Sequence, residues 1–301
     1  MKRKIVQHGC SSLTITLPHA WITKFGIKKG DELELTEQGN IIIISTKQGS
    51  GQSRKSIDTT EFGFFNKNNL SHLYQLGYDD IEIKFDNDKI LNEIKARVPE
   101  CIGFEIIDQK GNKVYVKSIA NALESDFDIM LRKVFLITKE MGTDVLEAIK
   151  SKNYKKLNEL RNLEHINNKF SMFCARILAK KGYKEPERIC QIYSMVKGLE
   201  KIADEYKYIC DLLSEYRKPI DRKIITFFEE ANNYYNLFYE IFYKFGSEKK
   251  ELVYRGRKEL IKKGSDLLKN SKAEESLLLH NLLNVITKAY DACGEYFALI
   301  L

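Results

Sequence analysis

Carboxylate side chains at helical spacing are the residues of this 301-residue chain best suited to chemistry. Glu200 and Asp204 are four residues apart, and so are Asp291 and Glu295 near the end of the sequence. Residues at i and i+4 lie on one helix face, so each pair would present two carboxylates together. Two such pairs on neighbouring helices could bind a hard cation or a metal cluster through oxygen ligands. Spacing alone leaves open the alternative of ordinary solvated residues, since like charges at i, i+4 are mildly unfavourable.

Catalytic motifs of other kinds are not found in the sequence. The chain has no GxxxxGK[ST] phosphate loop, no GxSxG nucleophile motif and no HExxH zinc motif. Its five histidines are too widely spread to predict a catalytic dyad, and its six cysteines contain no CxxC pair. We therefore predict that the protein is not an enzyme, and that its cysteines are reduced thiols in a cytoplasmic protein.

The composition is that of a globular chain with a mild basic excess. It has 49 basic and 42 acidic residues, a net charge of +7, which permits nucleic-acid or phosphate partners without requiring them. No run of 18 apolar residues occurs, so we expect no membrane insertion. The basic start MKRKIVQHG lacks the apolar stretch of a signal peptide. The length predicts two or three domains.

The carboxylate pairs fall in a long helical region that begins near residue 121. The helical patterns run near 125–150, 154–181, 187–216, 221–245, 248–269 and 274–301. In the third, apolar residues recur at alternating spacings of three and four, which is typical of a bundle seam. The aromatic run YYNLFYEIFYKF (234–245) predicts bundle core, with a partner-docking surface as the alternative. Six helices in two sets of three suggest a duplication, in which Glu200 aligns with Asp291 and Asp204 with Glu295.

The first 47 residues form a different kind of unit. Leu13, Ile15 and Leu17 alternate with polar residues, which predicts a half-buried strand. Pro18 then suits the first turn of a short helix, and Gly26 suits its end. Two further strands follow, the second containing the run IIII at 41–44. A unit of this size cannot close a core alone, and the apolar run needs cover on both faces. The simplest cover is a second copy, so we predict a dimer.

Residues 48–120 predict a linker followed by a small α+β connector. The stretch KQGSGQSRKS (47–56) has the composition of a flexible linker. The elements predicted after it are a helix at 66–76, a strand at 79–85, a helix at 89–98 and a hairpin that turns at Gly111.

The stretch RKIVQHGCSSLTITLPHAWITKFGIKKGDELEL (3–35) resembles the AbrB/MazE/SpoVT swapped-hairpin DNA-binding family. The resemblance implies an intertwined dimeric β-barrel that binds double-stranded DNA. The DNA-binding residues it implies are Lys2, Arg3, Lys4, Ser11, Ser12, Thr14, Lys24, Lys28 and Lys29. Residues 1–47 carry seven cationic and four acidic side chains, and Arg3 is their only arginine. Because lysine binds phosphate as a point charge, we expect phosphate positioning more than base reading. Since the family includes toxin-binding members, a dimerisation module without DNA is the alternative.

The later parts of the chain resemble archaeal regulators of phosphate uptake. The connector sequence LYQLGYDDIEI is similar to the connector of those regulators. The stretch LEKIAD (199–204) is similar to a metal-binding helix of the PhoU family. That family carries E-x-x-x-D metal motifs on two three-helix repeats. NLEHINNKF resembles a weaker copy, with Asn167 where an aspartate is usual, and the last helix has the order Asp-x-x-x-Glu. The resemblance implies a metal ion or metal cluster on the bundle and no other cofactor. The metal ligands implied are Glu164, Glu200, Asp204, Asp291 and Glu295.

We therefore predict a multidomain α+β chain with a swapped-hairpin barrel at 1–47, formed by a dimer, and a connector at 48–120. Residues 121–301 complete it as an all-α, PhoU-like bundle of two three-helix repeats. The function implied is a DNA-binding transcriptional regulator of phosphate uptake and homeostasis, with the bundle as sensing or partner-docking domain. The alternative is an interaction protein whose bundle docks on a phosphate transporter or a histidine kinase, while the N-terminal unit only dimerises it.

Overall fold

A computed structural model of the chain describes residues 2–9, 12–38, 40–46, 53–62, 65–119 and 127–301. The chain divides into two compact units, one up to Gly51 and one from Gln52 onward. The predicted DNA-binding residue Ser11, and residues 47–52 of the predicted linker, lie outside the described residues. In the described part, no helix is long and apolar enough to cross a membrane.

The first unit contains two small antiparallel sheets and one helix. Strands β1 (Val6–His8) and β2 (Ser12–Thr14) pair with each other, and so do β3 (Leu33–Gln38) and β4 (Ile41–Thr46). Helix α1 (His19–Phe25) lies between these two hairpins in the chain. It begins at Pro18, whose carbonyl accepts the first backbone bonds, and it ends at Gly26, whose φ of +63° is left-handed.

The sequence predicts a longer first strand than the structure shows. The alternation that begins at Leu13 predicts a strand that continues through Ile15 and Leu17, but β2 ends at Thr14. The register explains the difference, because Thr14 lies opposite Val6, the first residue of β1. Residues 2–5, which precede β1, do not pair with the chain after Thr14.

The described residues of the first unit form no hydrophobic core of their own. None of its described side chains is buried, and Leu13 and Ile42 are 70% and 61% exposed. The pairing register places Ile42 and Ile44 on one face of β4 and Ile41 and Ile43 on the other. Both faces of β4 therefore carry isoleucines, as predicted. The described residues of the first unit form two separate sheets and no closed barrel within one chain, so the dimeric barrel stays a prediction.

The second unit begins with a four-stranded sheet. Its strands are β5 (Arg54–Asp58), β6 (Asp80–Lys84), β7 (Phe104–Lys110) and β8 (Lys113–Ser118), in the order β5-β6-β8-β7. Strand β5 is parallel to β6, and the other neighbours are antiparallel. Helices α2 (Lys67–Gln75) and α3 (Asp88–Arg97) belong to the same part of the chain. The inner face of the sheet carries Ile81, Ile83, Val114 and Val116, all fully buried.

Strand β5 corrects the sequence prediction. The composition places Arg54, Lys55 and Ser56 in a flexible linker, but they pair with β6 as an edge strand. Ile57 is the only apolar residue of this strand, and it is buried under the sheet. One apolar position gives no visible alternation, which is why the pattern alone indicates a linker.

The remainder of the second unit is a helical bundle. It consists of α4 (Phe127–Lys150), α5 (Leu157–Leu160), α6 (Leu163–Lys181), α7 (Ile189–Tyr216), α8 (Arg222–Tyr243), α9 (Ser247–Leu268) and α10 (Ala273–Leu299). The helix predicted at 154–181 is wrong at its start. A tight turn, closed by a bond from the Asn162 amide to the Glu159 carbonyl, separates α5 from α6. The apolar seam predicted on α7 is confirmed, because all six of its residues are buried: Val196, Leu199, Ala203, Tyr206, Cys210 and Leu213.

The long helices pack in two sets of three. Helices α4, α6 and α7 contact one another, and α8, α9 and α10 contact one another. The two sets meet where α7 packs on α10 and α4 packs on α8. Gly198 of α7 allows a close approach, because a Cβ atom there would lie 2.9 Å from the Cβ of Ala292 on α10.

Arg176 of α6 joins the bundle to the α+β part. Its side chain is only 3% exposed, and it donates hydrogen bonds to the carbonyls of Tyr74 and Tyr78 at 2.9 and 2.7 Å. It also pairs with the carboxylate of Asp79, which Lys180 approaches to 2.8 Å. The α+β part is thus held to the bundle by a buried, multiply bonded cation.

Candidate nucleic-acid interface and carboxylate cluster

The predicted DNA-binding cations of the first unit are all exposed. Lys2, Arg3 and Lys4 precede β1, and Lys24 lies in the last turn of α1, where its ammonium is 5.4 Å from the centre of the Phe25 ring. None of these side chains forms an ion pair within the described part of the chain. Their charges are therefore available to an anionic partner.

A short turn after α1 presents Lys28 and Lys29. The amide of Lys28 donates to Oδ2 of Asp31 at 2.7 Å, and the amide of Asp31 donates to the Lys28 carbonyl at 3.1 Å. Gly30 accommodates the turn with a left-handed φ of +95°. The Asp31 carboxylate is used to close this turn, so it belongs to the scaffold of the two lysines.

The predicted polar contacts from the first hairpin divide into two groups. Ser12 is exposed on β2, opposite His8. The hydroxyl of Thr14 donates to the Val6 carbonyl at 3.1 Å and so stabilises the hairpin. Thr14 can still accept a hydrogen bond from a ligand, while its proton is used within the unit.

In the bundle, two of the five predicted metal ligands share one lysine. The ammonium of Lys207 lies 3.7 Å from Oε1 of Glu164 and 3.7 Å from Oδ1 of Asp204. Glu164 is 4% exposed, and its Oε2 accepts no hydrogen bond, although Nδ1 of His165 lies 3.4 Å away. Lys201 contacts the other oxygen of Asp204 at 3.1 Å. The cluster therefore holds two buried carboxylates around a cation.

The surroundings of Lys201 shift the pKa of its ammonium group. Its partial burial disfavours the charged form, but the Glu200 and Asp204 carboxylates outweigh this effect and raise its pKa above the usual range. The ammonium thus remains charged at neutral pH and neutralises part of the carboxylate charge.

Of the other three predicted ligands, Glu200 lies on α7, and Asp291 and Glu295 lie on α10. Glu200 pairs with Lys197 on its own helix. Glu295 accepts a hydrogen bond from Ser194 at 3.0 Å, and it lines a surface cleft with Asp291 and Lys288. No group of three or more His, Cys, Asp or Glu side chains within the described ranges is arranged to hold a metal ion. The structure therefore brings together Glu164 and Asp204 but does not gather all five carboxylates.

Asn167 has a structural role that explains its residue type. It is fully buried, and its amide donates to the Val134 carbonyl at 3.1 Å and to the Thr138 hydroxyl at 2.8 Å. An aspartate here would lose both donated bonds. The choice of asparagine at this position thus follows from packing against α4.

Sequence reasoning missed the buried charge of Glu205. This residue is 4% exposed, receives a bond from Lys288 of α10 at 2.5 Å, and is approached by Asn284 at 3.3 Å. Glu205 directly follows Asp204 and has no carboxylate four residues away, so the i, i+4 spacing does not identify it. The contact joins α7 to α10 and therefore the two sets of helices.

Comparison with known families gives one match. A family model described as "Antidote-toxin recognition MazE, bacterial antitoxin" matches residues 9–52. The match covers the first unit without its basic start, ends in the predicted linker and does not extend to the bundle. No curated protein and no solved structure matches the chain. The predicted resemblance of the N-terminal unit to MazE-type domains is confirmed.

Proposed function

We propose that this protein is a dimeric DNA-binding transcriptional regulator whose N-terminal unit contacts duplex DNA. The observation that carries the proposal is the first unit itself, which buries no described side chain and leaves apolar residues open on both faces of β4. Such a surface requires a partner, and a second copy supplies matching strands. The match to a MazE-type family model supports this dimer.

The exposed cations favour DNA as the ligand of that dimer. Lys2, Arg3, Lys4, Lys24 and the Lys28–Lys29 pair supply positive charge, and two copies double it. Lysines attract the phosphate backbone through charge, and each contact releases counterions from the duplex. Binding driven in this way weakens steeply as salt increases.

The test compares Arg3→Ala/Lys4→Ala with a control, Lys89→Ala/Lys95→Ala, which removes two exposed cations from α3. Fluorescence anisotropy of a labelled duplex would be titrated at several salt concentrations with full-length protein. We expect the slope of log K against log salt to fall by about 0.9 for each phosphate that the variant no longer neutralises. The control variant should keep the wild-type slope. An unchanged slope in the first variant would contradict the assigned role of Arg3 and Lys4.

We further propose that the bundle is a PhoU-like sensing domain and that its signal concerns phosphate supply. The support is the packing of the six long helices in two sets of three, together with the resemblance of LEKIAD to the PhoU helix. A signal acts on such a protein only if it binds one conformation more tightly than another. The joint formed by Arg176 is the physical link through which the bundle reaches the α+β part.

Metal binding by the bundle would use Glu164 and Asp204. The unbonded Oε2 of Glu164 and the cation already held between the two carboxylates fit a divalent ion that displaces Lys207. When bound, such an ion would supply positive charge and cross-link α6 to α7. Metal content by mass spectrometry should fall in Glu164→Gln/Asp204→Asn and stay unchanged in Asp128→Asn/Glu187→Gln. Equal metal content in both variants would contradict this site.

The second candidate is an interaction protein that uses the N-terminal dimer only for assembly. The family description favours it, because MazE-type domains are described as recognising toxins. In that case the bundle would dock on a phosphate transporter or a histidine kinase. Failure of the full-length protein to bind any duplex at low salt would favour this function over the first.

A further inference from the structure

One end of the bundle carries a concentration of positive charge that the proposed function does not use. The loops α4–α5 (151–156), α7–α8 (217–221) and α9–α10 (269–272) contain seven lysines and arginines and one acidic residue. The loops at the opposite end, 182–188 and 244–246, contain three cationic and two acidic residues. We call the three cationic loops the basic end.

Specific contacts bring these three loops together. The hydroxyl of Tyr154 donates to the Lys218 carbonyl at 2.8 Å, which joins the first loop to the second. The amide of Asp221 donates to Glu275 at 3.0 Å, which joins the second loop to the first turn of α10. The side chain of Asp221, the one acid of the basic end, caps α8 by accepting from the Lys223 amide at 2.7 Å. The first two loops are therefore joined directly, and the second is tied to the first turn of α10, which directly follows the third loop. The one acidic side chain within the three loops is used by a helix terminus.

Most cations of the basic end are free to bind an external anion. Lys152, Lys155 and Lys272 are exposed and have no ion-pair partner among the described residues, and Lys218 contacts only the ring of Tyr216, at 5.3 Å. Lys152 also takes a left-handed backbone conformation, with φ of 56°, which turns the chain at the end of α4. Unpaired charges of one sign on one surface create a positive potential that attracts anionic partners.

We propose that the basic end is a second binding surface for the phosphates of duplex DNA. This inference rests on the proposed function, since the duplex is the partner assigned to the N-terminal unit. The surface would add affinity without sequence preference, because phosphate contacts carry no base information.

The side chains of the basic end favour nucleic acid over an anionic membrane. Stable attachment to a lipid surface needs apolar side chains that insert, in addition to charge. None of the large apolar side chains that are exposed in the described ranges belongs to these three loops. Ile220, the aliphatic side chain of the second loop, is buried. Lysines alone match a phosphate backbone, which offers charge but no apolar interior.

The experiment compares full-length wild type with Lys152→Gln/Lys155→Gln/Lys218→Gln/Lys272→Gln. The control removes the same charge from the opposite end through Lys184→Gln/Lys244→Gln/Lys249→Gln/Lys250→Gln. Binding to a labelled duplex is measured by anisotropy over a range of salt concentrations. We expect the basic-end variant to bind about tenfold or more weakly, with a shallower salt slope, and the control to match wild type. A basic-end variant with wild-type affinity and slope would overturn the inference.

Further arms separate this inference from the proposed function. If Arg3→Ala/Lys4→Ala and Lys24→Gln/Lys28→Gln/Lys29→Gln both bind normally while the basic-end variant binds weakly, the proposed function fails and the inference stands. If no protein binds duplex at low salt, both fail. Vesicles of phosphatidylglycerol and phosphatidylcholine provide the membrane arm. Loss of vesicle binding in the basic-end variant, with unchanged DNA binding, would overturn the inference in favour of a lipid surface.

Discussion

Replacing Arg176 by methionine should weaken the joint between the α+β part and the bundle. The substitution keeps much of the apolar volume but removes the bonds to the carbonyls of Tyr74 and Tyr78 and the pairing with Asp79. Removing one partner of a buried ion pair costs about 3–5 kcal/mol, because the other charge remains buried. Lys180 still approaches Asp79 at 2.8 Å, so we expect a destabilisation of about 3 kcal/mol.

Urea unfolding followed by circular dichroism measures this destabilisation. With a slope of about 3 kcal/mol per molar urea, the midpoint of the affected transition should fall by about 1 M. The control is Arg132→Met, because Arg132 is exposed and contacts only the ring of Tyr243, at 5.4 Å. The control should be destabilised by less than about 1 kcal/mol. Equal midpoints for the two variants would refute the reasoning that Arg176 carries the joint.

Three further predictions concern separate parts of the molecule. Ile42→Lys places a charge on the open hairpin and should convert the proposed dimer to monomer in light scattering. Ile107→Lys, at another exposed isoleucine outside the first unit, should leave the mass unchanged. Thiol reagents at pH 8 should label the exposed Cys190 in the folded protein. They should spare the buried thiols, whose pKa burial raises to about 12, at Cys101, Cys174, Cys210 and Cys293. The hydrogen bond from Lys84 lowers the pKa of Asp58 to about 2, so its stabilising effect is present above pH ~4 and is lost as the pH falls towards 2. Carboxyl NMR should show a higher midpoint for Asp58 in Lys84→Met, and an unchanged midpoint would contradict the pairing.

The helical part of the fold could be predicted from the sequence because the spacing of apolar residues along a helix shows which face is buried. The seam on α7 contains one apolar residue per turn, and the structure buries all of them. Strand β5 could not be predicted, because Ile57 alone carries its apolar signal and its partner β6 lies more than twenty residues away. Pairing partners at that distance leave no local pattern.

The residue types of the candidate sites could be predicted from the sequence, but their spatial arrangement could be predicted only in part. The i, i+4 rule selected Glu200 and Asp204, yet Asp204 meets Glu164 of another helix through Lys207, while Glu200 pairs within its own helix. The i, i+4 spacing predicts which side chains share a helix face, but it does not predict which lysine contacts them. The sequence did not indicate that Arg176 is buried, because a single arginine in a helical pattern is typical of a solvated residue.

The most direct test of the central claim is binding of the full-length protein to a duplex from upstream of its own coding sequence. Anisotropy titrations would compare this duplex with a shuffled duplex of the same length and composition, both over a range of salt concentrations. A DNA-binding regulator predicts tight, steeply salt-dependent binding that prefers the upstream duplex. No binding to either duplex at low salt would contradict the account and would favour the interaction protein.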